Sequence, residues 1–137
     1  MIATDHLLVG NSFPLSLIRR FVCVRPRSRE EWLGVLSRAG CIYSYWGHAN
    51  TLSLASEWAG VDLRPRTVRP ALHLDANGRP MLNGESFSRC WVLSPDYAPD
   101  FRPQEGQIVP PEAILGWQAL EITWDDDAES TSATAIT

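Results

Sequence analysis

The residues in this sequence whose types and spacing suit chemistry fall in three short segments. The first is Tyr45-Trp46-Gly47-His48-Ala49-Asn50-Thr51, where a histidine follows a glycine at the expected mouth of a helix. Backbone N–H groups and the helix dipole at such a mouth favour an anion, phosphate above all. An imidazole there, with an ordinary pKa of about 6.5, is placed to give or take a proton on that anion near neutrality. The same spacing also describes a turn glycine, a cap at Asn50 or Thr51, and a surface histidine. The second segment is Phe101-Arg102-Pro103-Gln104-Glu105-Gly106-Gln107-Ile108, in a proline-rich stretch. Arg102 and Glu105, three apart beside Gly106, would put a phosphate clamp and a proton acceptor on one loop, or form a solvated charge pair. The third is Arg64-Pro65-Arg66-Thr67-Val68-Arg69, a basic cluster entering an expected strand. Guanidinium forks suit phosphate, although solvated arginines explain the cluster as simply. Trp46 adjoins His48 and could line a base pocket, whereas the other five tryptophans are scattered and serve the core.

Composition narrows the chemistry. All twelve basic residues are arginine, so no lysine Schiff base or phosphate-loop lysine exists in these 137 residues. The net charge of −4 is carried by Asp125, Asp126, Asp127 and Glu129, and residues 1–124 balance 12 basic against 12 acidic groups. A neutral body does not suit a protein that coats long nucleic acid, but leaves a small anionic ligand open. Cys23, Cys41 and Cys90 have neither CxxC nor Cys/His finger spacing, so free thiols in a reducing cytoplasm are expected and no metal or cofactor is. No apolar run reaches membrane-spanning length, and no membrane partner is expected.

The elements that must position these residues are read from periodicity and punctuation. Strands are expected over His6–Gly10, Phe21–Val24, Cys41–Tyr45, Val68–Leu74, Phe87–Leu93 and Gln118–Trp124. His6 is assigned no role, and His73 is expected to face outward. Ser28 and Glu31 form a capping box opening a helix that ends at Gly40. A second helix runs from Gly47-His48 to Ala59, with Gly60 past its end. Asn77-Gly78 predicts a hairpin between the fourth and fifth strands. Residues 94–110, with four prolines, read as a long loop, and Pro110-Pro111-Glu112 as a further helical turn. The expected architecture is one small α/β (α+β) domain over 1–124, a central mixed sheet flanked by helices, with an acidic, disordered tail over 125–137.

The order of these motifs resembles the viral ring nucleases that act as type III anti-CRISPR proteins. The resemblance is carried by Asn11-Ser12-Phe13 after the first strand, Gly47-His48 with Asn50-Thr51, Gly60-Val61, Arg66, and Arg102 to Ile108, across roughly residues 6–124. It implies a homodimer that binds cyclic tetra-adenylate across its interface and cuts it without a metal. In that reading His48 protonates the departing 5′ oxygen while a ribose 2′-hydroxyl attacks its neighbouring phosphate, leaving a 2′,3′-cyclic phosphate. Glu105 assists proton transfer or orients the histidine. Arg66 and Arg102 hold the phosphates, Asn11 and Ser12 lie under the nucleotide, and Gly47, Asn50 and Gly106 border it. Ala49 stands where the family often has an acidic residue, and the segments 75–90 and 94–100 are longer than usual. The activity would silence a cyclic-nucleotide signal in a bacterial or phage-infected cytoplasm. A non-catalytic protein that sequesters the ring, and a small nucleic-acid-binding regulator, are the alternatives.

Overall fold

The computed structural model describes residues 6–47, 49–66, 71–102, 104 and 107–124. Its centre is a five-stranded mixed sheet in the order β2-β8-β7-β1-β3, formed by β1 (His6–Gly10), β2 (Cys23–Arg27), β3 (Cys41–Ser44), β7 (Arg89–Tyr97) and β8 (Ile114–Thr123). β1 lies between β3 and β7 and is parallel to both, while β8 runs antiparallel to β7 and β2. Side chains alternate between the two faces, and both faces are covered. On one, Leu7, Val9, Trp91, Leu93 and Ala119 pack with Trp32 of α1 (Arg29–Ser37) and Ala55 and Ala59 of α2 (Ala49–Ala59). On the other, Leu8, Cys90, Val92, Ile122 and Trp124 pack with Leu82 and Phe87, beneath a small meander of β4 (His73–Leu74), β5 (Pro80–Leu82) and β6 (Glu85–Ser86). The domain is thus α+β, with its helices on one face.

Local signals explain the helix ends. Ser28 Oγ accepts from the Glu31 N–H at 3.1 Å, and Glu31 Oε1 accepts from the Ser28 N–H at 2.9 Å, so the capping box opens α1 as expected. Gly60, at φ +77°, takes the left-handed turn that ends α2.

Two of the expected strands need correction, and both contain a proline. β2 covers Cys23–Arg27 rather than Phe21–Val24 and includes Pro26, and β7 continues through Pro95 into what was expected to be loop. Proline lacks only the donor N–H, which costs nothing on a free strand edge. β2 is an outer strand, and β7 pairs with β1 only as far as Val92. The hairpin was also misplaced. Asn77-Gly78 joins β4 to β5, with Asp75 Oδ1 accepting from the Asn77 and Arg79 N–H groups. A second turn at Asn83-Gly84, both at positive φ, then leads to β6. The expected strand over Val68–Leu74 is seen as His73–Leu74, and positions 67–70 lie outside the described residues. The last strand begins at Ile114, earlier than expected, directly after a 3-10 turn over Pro111–Ala113.

Candidate functional site

The carboxyl ends of β1 and β3 bring two of the predicted polar segments together. Val9 pairs with Ser44, so both chains leave the sheet at one level. The Tyr45 N–H donates to the Val9 carbonyl at 3.0 Å, and the Gly47 N–H donates to Asn11 Oδ1 at 3.0 Å. Asn11, 36 residues away in sequence, therefore holds the turn that precedes α2. Beneath that turn, Ser44 Oγ donates to the Leu63 carbonyl at 2.5 Å and accepts from the Trp46 N–H at 3.2 Å. Gly10 allows the close approach, because a Cβ there would run into the Tyr45 ring. The Tyr45 hydroxyl lies 3.1 Å from Cys90 Sγ. Burial raises the Tyr45 phenol well above its ordinary value and pushes the Cys90 thiol up to about 12. Both stay neutral, and this pair serves as packing under the turn.

The β7–β8 ribbon rises beyond this level. From Ser94 opposite Gln118 to Tyr97 opposite Ile114 it has no pairing to β1. Trp117 on the ribbon packs on Trp46 with ring centroids 6.4 Å apart, which ties the β3–α2 turn to the ribbon and its connecting segment. Arg102 and Gln104 are exposed in that segment, which closes through an Ala98 N–H to Ala113 carbonyl bond of 2.8 Å and a Tyr97–Phe101 ring contact. Ser12 is exposed beside Asn11, and Asn50 is half-buried in the first turn of α2. Asn11, Ser12, Gly47 and Asn50 thus lie at the carboxyl ends of β1 and β3, and Arg102 is exposed in the segment between β7 and β8. His48, Glu105 and Gly106 lie outside the described residues.

Two predicted ligand contacts are placed differently. Trp46 is 4% exposed and belongs to the core. Arg66 is exposed, but its Nη2 donates to Cys41 Sγ at 3.0 Å and its guanidinium lies 5.8 Å from the centre of the Tyr43 ring. Cys41 is opposite His6, at the amino end of β3. β3 ends at Ser44, three residues before Gly47.

The amino end of the sheet holds a polar cluster that sequence reading missed. His6 Nδ1 and the Tyr43 hydroxyl both bond the Glu85 carboxylate, and the His6 and Tyr43 rings lie 5.4 Å apart. The nearby carboxylate raises the Tyr43 phenol. His6 and Glu85 are 79 residues apart, so no spacing announces them. His73, by contrast, is exposed as expected. Among the described residues no group of His, Cys, Asp and Glu could hold a metal, and no helix is long and apolar enough to cross a membrane.

No family model and no curated protein matches the chain. Among solved structures, it is similar to B116 of Sulfolobus turreted icosahedral virus, with a TM-score of 0.53 and 13% identity over 85% of this chain and 97% of that one. At that identity the likeness is one of fold, and this chain shares its small α+β fold with a viral protein.

Proposed function

We propose that this protein is a metal-independent ring nuclease that binds cyclic oligoadenylate, with cyclic tetra-adenylate as its ring, and opens it to products ending in a 2′,3′-cyclic phosphate. The observation that supports this reading best is the Asn11–Gly47 bond. It joins the polar turn after β1 to the Gly-His turn before α2, the two segments on which the resemblance to viral ring nucleases rests. Fold likeness to a viral protein accords with it.

In this reading a backbone phosphate sits over the amino end of α2, where N–H groups and the helix dipole favour it. The attacking 2′-hydroxyl belongs to the substrate, so the protein needs to position the ring and stabilise charge rather than supply a nucleophile. His48 donates a proton to the departing 5′ oxygen, and Glu105 assists that transfer or orients the imidazole. Arg102 contributes a guanidinium fork from the segment between β7 and β8. A homodimer places two such sites on one ring. Arg66, engaged with Cys41 and the Tyr43 ring, is given no part in this step.

The test is to incubate the protein with cyclic oligoadenylates of several ring sizes, with chelator present, and to identify products by mass spectrometry. Linear products with cyclic phosphate ends are expected from the tetramer. His48→Ala should bind labelled ring but cut it at least about a hundredfold more slowly, the usual scale for losing a general acid. Binding without cutting by the natural sequence would leave only sequestration of the ring. A salt-dependent gel shift with long nucleic acid, and no ring binding, would favour a regulator instead.

A further inference from the structure

We propose a second ligand site, specific for a small oxyanion of the phosphate or phosphate-monoester class, in the cavity at the amino end of β1. This cavity of about 170 Å³ is lined by His6, Leu7, Val35, Arg38, Phe87, Ser88 and Arg89. It opens where β1 and β7 begin and α1 ends, at the opposite end of β1 from Asn11 and Gly47. The proposal stands independently of the ring-nuclease reading.

Three observations carry it. First, the polar side chains around the cavity are two guanidiniums, an imidazole and a hydroxyl, with no carboxylate among the lining residues. Second, the two guanidiniums there are only partly engaged by carboxylates. Arg89 Nη1 reaches Glu121 Oε2 at 3.2 Å, but Arg27 already engages the other oxygen of that carboxylate at 2.9 Å. Arg38, just past the end of α1, has no ion-pair partner among the described residues. The helix adds about half a negative charge at that terminus, less than either guanidinium brings. Third, Glu85 lies behind His6 and bonds its Nδ1, which fixes that nitrogen as the protonated one and orients the ring. Nε2 is then the nitrogen left for a ligand, as an acceptor from a protonated phosphate or as a donor when the ring is charged.

Size selects among anions. Pockets for drug-sized or cofactor-sized ligands run from roughly 300 to 1,000 Å³, and this one is smaller. A single tetrahedral oxyanion matches it, gripped by forks from two different elements. A whole nucleotide would enter by its terminal phosphate alone, with the base outside.

The experiment is an amide NMR titration of the full chain at low ionic strength with sodium phosphate, with adenosine monophosphate, and with sodium chloride matched for ionic strength. Saturable shifts at Leu7, Ser88 and Arg89 with phosphate, absent with chloride, are expected. Arg38 is exposed, so Arg38→Gln should fold normally and bind phosphate about tenfold more weakly, as removal of one charge-assisted fork predicts. Arg89→Gln provides a second variant with the same expected loss. Equal response with adenosine monophosphate identifies the terminal phosphate as the bound group, whereas a nucleotide response without a phosphate response overturns the proposal. It is equally overturned by shifts that do not saturate, by shifts confined to Asn11 and Gly47, or by unchanged affinity in both arginine variants.

Discussion

At the scale of single residues, Glu121 is the charged residue buried most deeply among the described residues. Its side chain is 3% exposed and faces Arg27 and Arg89. Arg27 also reaches Glu31, and the bond to Glu121 is the main reason its guanidinium is held above its ordinary value. A buried carboxylate between two arginines is costly to disturb, because losing it strands positive charge against an apolar sheet face. Glu121→Gln should therefore destabilise the fold by about 2 kcal/mol, a discounted value because both arginines are partly exposed. Urea unfolding measures it, with exposed Glu112→Gln as a control expected within about 0.5 kcal/mol of the parent. Equal midpoints for the two variants would show that the carboxylate is dispensable. This triad is structural, and it engages Arg27, which composition alone would have left available for phosphate, on both Glu31 and Glu121.

At the scale of elements, α1 is held by its amino-terminal cap as well as by its buried Trp32. Ser28→Ala should cost about 1 kcal/mol, read as a lowered Tm, since it removes the acceptor of an otherwise unpaired helix N–H. The cap also has a pH signature. The Ser28 N–H, chiefly, and Arg27 hold the Glu31 carboxyl below its ordinary value. A depressed carboxyl contributes stability that is present above its unfolded pKa and lost as pH falls through the folded one. The stability of the parent should thus fall on acidification below about pH 4.5, and Glu31→Gln should flatten part of that fall. An unchanged acid limb in Glu31→Gln would exclude this contribution. β2 and β7 teach a related lesson. Their prolines are legible as breaks only when every strand is imagined with two neighbours, and Pro26 and Pro95 each face an unpaired edge.

At the scale of the whole molecule, the sheet has two chemically distinct ends. One carries Asn11 and Gly47, with Trp46 of the same turn packed on Trp117 of the ribbon. The other carries His6, Glu85, Tyr43, Cys41 and Arg66. Under the proposed function each chain would offer a ring of phosphates few arginines, which is the physical argument for two copies around one ligand. Exposed Ile108 and Leu115, beside the same ribbon, offer apolar area for such a contact. Light scattering at micromolar concentration should give about twice the 15.3 kDa chain mass. A monomeric mass would remove the shared site and with it the proposed geometry for ring binding.

By itself the sequence determined what local chemistry can dictate. The capping box at Ser28 and Glu31, the stop at Gly60, the turn at Asn77-Gly78, a mixed sheet with two helices, and a neutral body without lysine all follow from neighbours a few residues apart. Of the site, the Gly47 turn and Asn11 were visible as separate motifs. Their hydrogen bond was not, because it is made only when parallel β1 and β3 leave the sheet at the same level. Tertiary structure alone decided that Trp46 is core, that Arg66 lies against Cys41 at the far end of β3, and that His6 meets Glu85 across 79 residues. Those outcomes depend on strand order and register. A one-residue change of register exchanges the faces of every side chain, and no local pattern in a strand specifies which neighbour it will have.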